Sequence, residues 1–295
     1  MSVQEVATQF PELDPVSGEY LGEGCDSTAL LVNDTWVFRF PKSEQVGQQL
    51  AMEALLLPAL ADRLPLPVPR FRYYGQPGEF FPRRFVGYPK LDGLPAIGFE
   101  AGTIGAAERA RLGLFLARLH ETDLDVATRC GVPVEPLEES LDELRREALD
   151  GLLHAAPLAP DASLERWRRF LDAPPDVAAN DTLVLTHSDF AAEHIPIDPE
   201  TGCITGIIDW SDAAVSRPEV DVAGLFHWGG ESLALEVLQT YALVRGPLAA
   251  ERLQLARYLG ACRGALDVSF GTEMRRPEYV TAGLRALSLC AVGHR

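Results

Sequence analysis

Residues 183–221, LVLTHSDFAAEHIPIDPETGCITGIIDWSDAAVSRPEVD, constrain the fold more than any other stretch of the chain. An apolar run, Leu183–Thr186, leads directly into a polar loop that carries His187, Asp189 and His194. A second apolar run, Ile204–Ile208, ends on Asp209. Short apolar runs bounded by turn formers read as buried strands. Two such strands side by side would bring together carboxylates that stand twenty residues apart in the chain. An isolated Asp on a loop is usually a turn former or a cap. Two of them, each at the end of a buried run, suit phosphoryl transfer. That chemistry asks for one carboxylate to reach the attacking hydroxyl, and a second, with a neutral ligand, to hold Mg²⁺ on nucleotide phosphates.

The rest of the chain falls into two patterns. Up to about residue 90 it is strand-like. Tyr20–Glu23 leads into a turn, Gly22-Glu-Gly-Cys-Asp-Ser-Thr28. Two β-rich runs follow, Ala29–Val32 and Trp36–Phe40, joined by the hairpin-type turn Asn33-Asp34-Thr35. One helix is expected over Glu44–Leu60, from Leu50, Ala54, Leu57 and Ala61 at helical spacing, with Pro65–Pro69 ending it. Arg70–Gly75 and Glu79–Tyr88 read as further strands, with Tyr73-Tyr74 and Phe80-Phe81 as sheet packing. Pro89–Pro95 is dense in turn formers and reads as a linker. Beyond it helices dominate, at Ala107–His120, Leu137–Ala155, Leu164–Leu171, Leu233–Val244, Ala249–Asp267 and Tyr279–Leu289. The expected architecture is α+β: a small sheet lobe with one helix (1–90), then a larger helical lobe (91–295) with an embedded hairpin.

Composition narrows the partners. With 295 residues, 47% hydrophobic and 23% charged, the chain is that of an ordinary globular protein. A formal net charge of −17 makes nucleic acid a poor partner and a cationic small molecule a good one. The five cysteines are scattered without a CxxC pair, which suits a reducing compartment. The start, MSVQEVATQF, lacks the basic and apolar segments of a signal peptide, and no stretch is apolar enough to span a membrane. The expectation is a cytoplasmic protein with no membrane or nucleic-acid partner.

On these residues the chain resembles the aminoglycoside phosphotransferase family, antibiotic kinases with a protein-kinase-like fold. The family's HxDxxxxN motif is matched by His187-Ser-Asp189-Phe-Ala-Ala-Glu-His194, and its IDxxD segment by Ile208-Asp209-Trp-Ser-Asp212. Asp221 in RPEVD, the Gly22–Thr28 loop, the VFRFPK strand and LARLHETD at 116–123 extend the likeness along nearly the whole chain. IDWSDA and Val215–Trp228 look as close to macrolide kinases as to 2″-aminoglycoside kinases; GEGCDSTALLVND leans toward the latter.

The resemblance implies a bilobal, monomeric kinase that spends ATP or GTP with Mg²⁺ on a hydroxyl of an aminoglycoside, conferring resistance. Asp189 would orient the hydroxyl as catalytic base, with His187 orienting the loop. Asp209 would ligate metal, as would His194, which stands where Asn is usual. Gly22, Gly24 and Ser27 would cover the phosphates. The phosphate-pairing cation is Arg39 or Lys42, with Glu53 as its helix partner. The base would lie in the crease at Tyr88, Lys90 and Leu91. Acidic residues at Asp212, Glu219, Glu231 and Glu236 could receive amines, with Asp212 and Glu231 preferred. Trp210 and Trp228 are the tryptophans best placed to line a pocket, and His120 reads as a helix cap or packing residue. Macrolide 2′-phosphorylation, a choline, homoserine or sugar kinase, and a nucleotide-binding module without turnover stand as alternatives.

Overall fold

The computed structural model describes residues 2–14, 17–23, 26–177 and 183–291. Strands β1 (Gly18–Glu23), β2 (Ser27–Val32) and β3 (Trp36–Pro41) form an antiparallel meander. With β4 (Tyr73–Gly75) and β5 (Phe85–Pro89) they complete a five-stranded sheet in the order β1-β2-β3-β5-β4. The β2–β3 turn is the expected Asn33-Asp34-Thr35, with the Thr35 N–H on Val32 O (3.2 Å) and Asn33 (φ 51°) and Asp34 (φ 57°) in the left-handed conformation that Asn and Asp tolerate. The period of two along β3 then sorts its side chains. Phe38 and Phe40 join Leu30, Val32 and Phe85 on one face. Val37 clusters with Leu31 and Tyr88 on the other, the face that Arg39 shares by register.

The outer cluster is closed by helix α1 (Ser2–Gln9), so the sheet lobe holds two helices where one was expected. Eight residues are too few for a stable isolated helix; tertiary contacts hold this one. Val6 is fully buried, and the Glu5 carboxylate accepts the N–H groups of Phe80 (2.7 Å) and Phe81 (3.0 Å). Because those amides bond to Glu5 and not to a neighbouring strand, the run expected from Glu79 becomes strand only at Phe85. Helix α2 (Glu44–Leu60) has the expected bounds, capped by the Ser43 hydroxyl on the Val46 N–H (3.2 Å). Its Met52, Leu56, Leu57 and Leu60 belong to the core of the helical lobe.

The hairpin expected between 183 and 210 does not form. Strand β6 (Leu94–Pro95) pairs with β8 (Pro196–Ile197), and β7 (Val184–Thr186) pairs with β9 (Ala214–Ser216). Residues 204–208 run extended, with one bridge from Ile204 to Ile197. The Ile207 N–H goes to Pro67 O (2.8 Å) and the Ile208 N–H to His194 O (3.0 Å), which leaves them nothing for a ladder.

The helical lobe contains α3 (Ala106–His120), α4 (Leu124–Cys130), α5 (Leu137–Ala155), α6 (Asp161–Leu171), α7 (Pro218–Arg245), α8 (Ala250–Glu273) and α9 (Pro277–Cys290). Leu112, Phe115, Leu116 and Leu119 of α3 all face the core, as their spacing requires. Helix α7 starts well before the expected Leu233 because residues 221–228 are buried all round and show no amphipathic period. A side chain at Gly224 would put its Cβ 1.5 Å from Phe190 O, so glycine is what lets α7 touch the loop that carries Asp189. Among the described residues no helix is long and apolar enough to cross a membrane.

Candidate active site

The loop after β7 is fixed from behind by Asp221, buried in the first turn of α7. Its carboxylate accepts the N–H groups of His187 (3.0 Å) and Ser188 (2.9 Å) and also meets His120 Nε2 (3.0 Å). His120 Nδ1 in turn meets the Tyr241 hydroxyl (3.1 Å), so this residue is a buried link in the loop's support and not a helix cap. His187 is fully buried and donates from Nε2 to Ile208 O (3.0 Å). Together with the Ile208 N–H on His194 O, that bond ties the Asp189 loop to the segment ending at Asp209. The convergence expected from paired strands is thus achieved by two bridges between loops. Ser188 (φ 65°) and Asp209 (φ 61°) both sit at left-handed backbone angles. Such angles cost about 1–3 kcal/mol at non-glycine residues and concentrate at functional sites.

Asp189 has both oxygens engaged. His194 Nε2 donates to Oδ2 at 2.8 Å, and Arg263 Nη1 of α8 donates to Oδ1. The second arm of Arg263 holds Glu193 at 2.6 Å. Burial favours the neutral acid, but the Arg263 guanidinium and then His194 outweigh it and hold Asp189 well below the usual carboxylate range. Burial works against the His194 cation too, and Asp189 reverses this, raising the imidazole to about 9. Asp189 is therefore ionised throughout the neutral range, suited to orienting a hydroxyl and taking its proton late.

Opposite lies a second cluster. Arg39 reaches both Glu53 oxygens (3.1 and 3.0 Å), Asp209 Oδ1 (3.0 Å) and the Ser211 hydroxyl (2.8 Å). Arg39 and Glu53 are buried, whereas 43% of the Asp209 side chain stays open. Burial raises the Asp209 carboxyl, but Arg39 and His194 pull it down below its ordinary value. Of the two candidate cations, Arg39 faces Asp209. Lys42 lies just past β3, exposed, with its N–H on Asp26 O (2.8 Å). Glu53 occupies the expected helix position.

The remaining expected residues divide. Gly22 lies at a bulge in β1 and Ser27 at the start of β2, its buried hydroxyl without a hydrogen-bond partner. Gly24 falls outside the described residues. Tyr88 is buried 5.6 Å from the Phe71 ring, Lys90 donates its N–H to Thr35 O (2.7 Å), and Leu91 packs over Gly206. Trp228, expected at a pocket wall, is 1% exposed and donates Nε1–H to Phe99 O (3.0 Å), which makes it core. Trp210, also fully buried, packs 4.6 Å from the His187 ring. Glu219 is buried against Arg252 (2.5 and 3.2 Å), and Glu236 is paired with Arg109. Glu231 is exposed beyond the non-helical Gly230. None of these five lines the space beside Asp189.

That space is a cavity of about 360 Å³ walled by Glu135, Ser188, Asp212, Leu259, Arg263 and Leu266. Asp212 is there as expected. Enclosure, then the charges of Asp189 and Asp209, push its carboxyl up to about 6. Arg263, Glu193 and Glu135 went unrecognised in the sequence. The one available signal was an arginine within YLGACRGALD, a run of small and apolar residues where an unpaired cation is rarely buried. Among the described residues no three His, Cys, Asp or Glu side chains converge as a metal cage.

A sheet lobe over a helical lobe, with a carboxylate pair and a buried Arg–Glu pair facing each other between them, defines a protein-kinase-like phosphotransferase. The model of the phosphotransferase enzyme family matches residues 17–254, and the chain belongs to that family. The structure resembles the GDP and kanamycin complex of APH(2″)-IIIa, with a TM-score of 0.74 and 26% identity over 98% of this chain and 97% of that one. It shares its fold with macrolide 2′-phosphotransferase MphH of Brachybacterium faecium (TM-score 0.63, 22% identity, 100% and 99% covered). An uncharacterized protein of Bacillus subtilis (strain 168), YcbJ, is 25% identical over 267 residues, 86% of this chain and 83% of its own.

Proposed function

We propose that this phosphotransferase transfers the γ-phosphoryl group of ATP or GTP to a hydroxyl of an aminoglycoside, with residues 1–90 forming the nucleotide lobe and 91–295 the acceptor lobe. The observation that carries this reading is the pair of loop bridges that turn Asp189 and Asp209 toward one cleft, opposite Arg39 and Glu53. In the transfer, the acceptor oxygen bonds to the γ-phosphorus as the bond to the β,γ-bridging oxygen breaks. Asp189 aligns the hydroxyl and receives its proton. Arg39 faces the developing charge on the phosphates, and the unsatisfied Ser27 hydroxyl is a donor ready for a phosphate oxygen. Asp209 and His194 would hold Mg²⁺, which when bound neutralises phosphate charge. Asp209 fits that ion by offering an open oxygen, whereas His194, raised to about 9 beside Asp189, would ligate only on losing its proton.

The wall of the acceptor cavity favours a second reading. Among the described residues, Leu259, Leu266 and the Arg263 cation stand beside the carboxylates of Glu135, Asp189 and Asp212. A macrolide, with one amine and a broad apolar face, suits such a wall. The test is phosphate transfer with Mg²⁺ and ATP or GTP to kanamycin, gentamicin and erythromycin. Turnover with kanamycin or gentamicin supports the first reading, turnover with erythromycin alone replaces it with the second, and nucleotide binding without any turnover overturns both.

A further inference from the structure

We propose that Arg263 is the positioning residue for Asp189, the group that keeps this carboxylate aimed at the acceptor when the site is loaded; the inference rests on the kinase reading above. Three observations carry it. The Arg263 guanidinium is split between Asp189 Oδ1 and Glu193 Oε1, so its plane is set by two anchors on one loop. Its side chain is 26% exposed and that of Asp189 is 25% exposed, which places the pair in the wall of the acceptor cavity and not in the core behind it. The other partner of Asp189, His194, bonds Oδ2 through Nε2, and a neutral imidazole can keep that N–H on a carboxylate while its second ring nitrogen ligates a cation. Among the described residues Arg263 is the side chain that holds Oδ1, so it sets which way the carboxylate faces the acceptor cavity.

The bidentate geometry also separates arginine from lysine here. A lysine ammonium would restore the charge but could not span Asp189 and Glu193 with the same fixed fork. A carboxylate free to rotate loses the near-attack alignment, and misplacement by about 1 Å costs on the order of a hundredfold in rate.

The experiment compares wild-type protein with Arg263→Ala, Arg263→Lys and Arg263→Met. Mg–nucleotide binding is measured by calorimetry, and kcat and KM are measured on the acceptor that wild type phosphorylates best. The expected result is a fall in kcat of about a hundredfold for Arg263→Met, with nucleotide affinity within about twofold of wild type. Arg263→Lys should fall between Arg263→Met and wild type. Millimolar guanidinium should restore part of the kcat of Arg263→Ala, and methylammonium less. A second readout needs no turnover: urea unfolding of Arg263→Met, Asp189→Asn and the double variant should show that the two single changes are not additive. Intact kcat in Arg263→Met, or additive unfolding energies, would sink the proposal while leaving the kinase reading in place. A wild-type protein that phosphorylates no acceptor removes the reading, and the proposal falls with it.

Discussion

The two sides of the cleft are built on opposite plans. On the nucleotide side, Arg39 and Glu53 are buried, and every strong bond they make is to Asp209, to Ser211 or to each other. On the acceptor side, Asp189, Arg263 and Asp212 lie in a cavity wall, partly exposed, and Asp212 is crowded by the like charges of Asp189 and Asp209. Under the proposed function, the first arrangement would meet one invariant group, a triphosphate. The second would be an adjustable wall, in which a few side chains set the acceptor. A buried ion pair tolerates little change, because removing one partner strands a charge; a half-open wall can change its residues at small cost to stability.

This contrast can be broken at both ends. The largest effect is expected at Asp189, where Asp189→Asn should lower kcat by about 10³-fold with nucleotide affinity nearly unchanged. Steady-state kinetics alongside calorimetric nucleotide binding checks this, and retained activity would refute the mechanism. Next comes Arg39→Ala, which leaves Glu53 buried and unpaired. It should cost about 3–5 kcal/mol in urea unfolding and weaken nucleotide binding as well, whereas wall changes such as Asp212→Asn should alter stability little.

Smaller effects sharpen the comparison through pH. Below about 6, Asp212 is neutral and cannot pair with an ammonium. The acceptor KM should therefore fall as pH rises through 6 in wild type and lose that dependence in Asp212→Asn; a dependence that persists in the variant would remove Asp212 from the acceptor site. For the Asp189–His194 pair the folded imidazole is raised from 6.5 to about 9. Its contribution to stability is full below about pH 6.5 and is lost as pH rises through 9. In metal-free protein, the difference in Tm between wild type and His194→Asn should shrink over that window, as scanning calorimetry from pH 6 to 10 would show. The smallest effect is reserved for Glu231→Gln. With Glu231 exposed beyond Gly230 and away from the cavity, its acceptor KM should stay within about twofold of wild type.

Much of this molecule is decided by local chemistry that a sequence displays. Asn33-Asp34 turns β2 into β3, the alternation of Trp36-Val-Phe-Arg-Phe sends Arg39 to the inner face, and the spacing in α3 buries Leu112, Phe115, Leu116 and Leu119. The motif residues Asp189, His194 and Asp209 and the helix residue Glu53 were singled out because their types and order match a known chemistry, and the fold brings them to one cleft. Tertiary structure alone decided the rest. Helix α1 exists because Val6 and Glu5 find partners on the far side of the sheet. Residues 204–208 stay out of a ladder because Pro67 and His194 claim their amides. Trp228 and Glu219 became core because Phe99 O and Arg252 satisfy their polar atoms. Arg263 stands beside Asp189 across 74 residues of chain. Patterns of spacing record which face a residue turns, a property of its immediate neighbours. Which distant group waits on that face depends on how the helices and loops pack, and no local period encodes that.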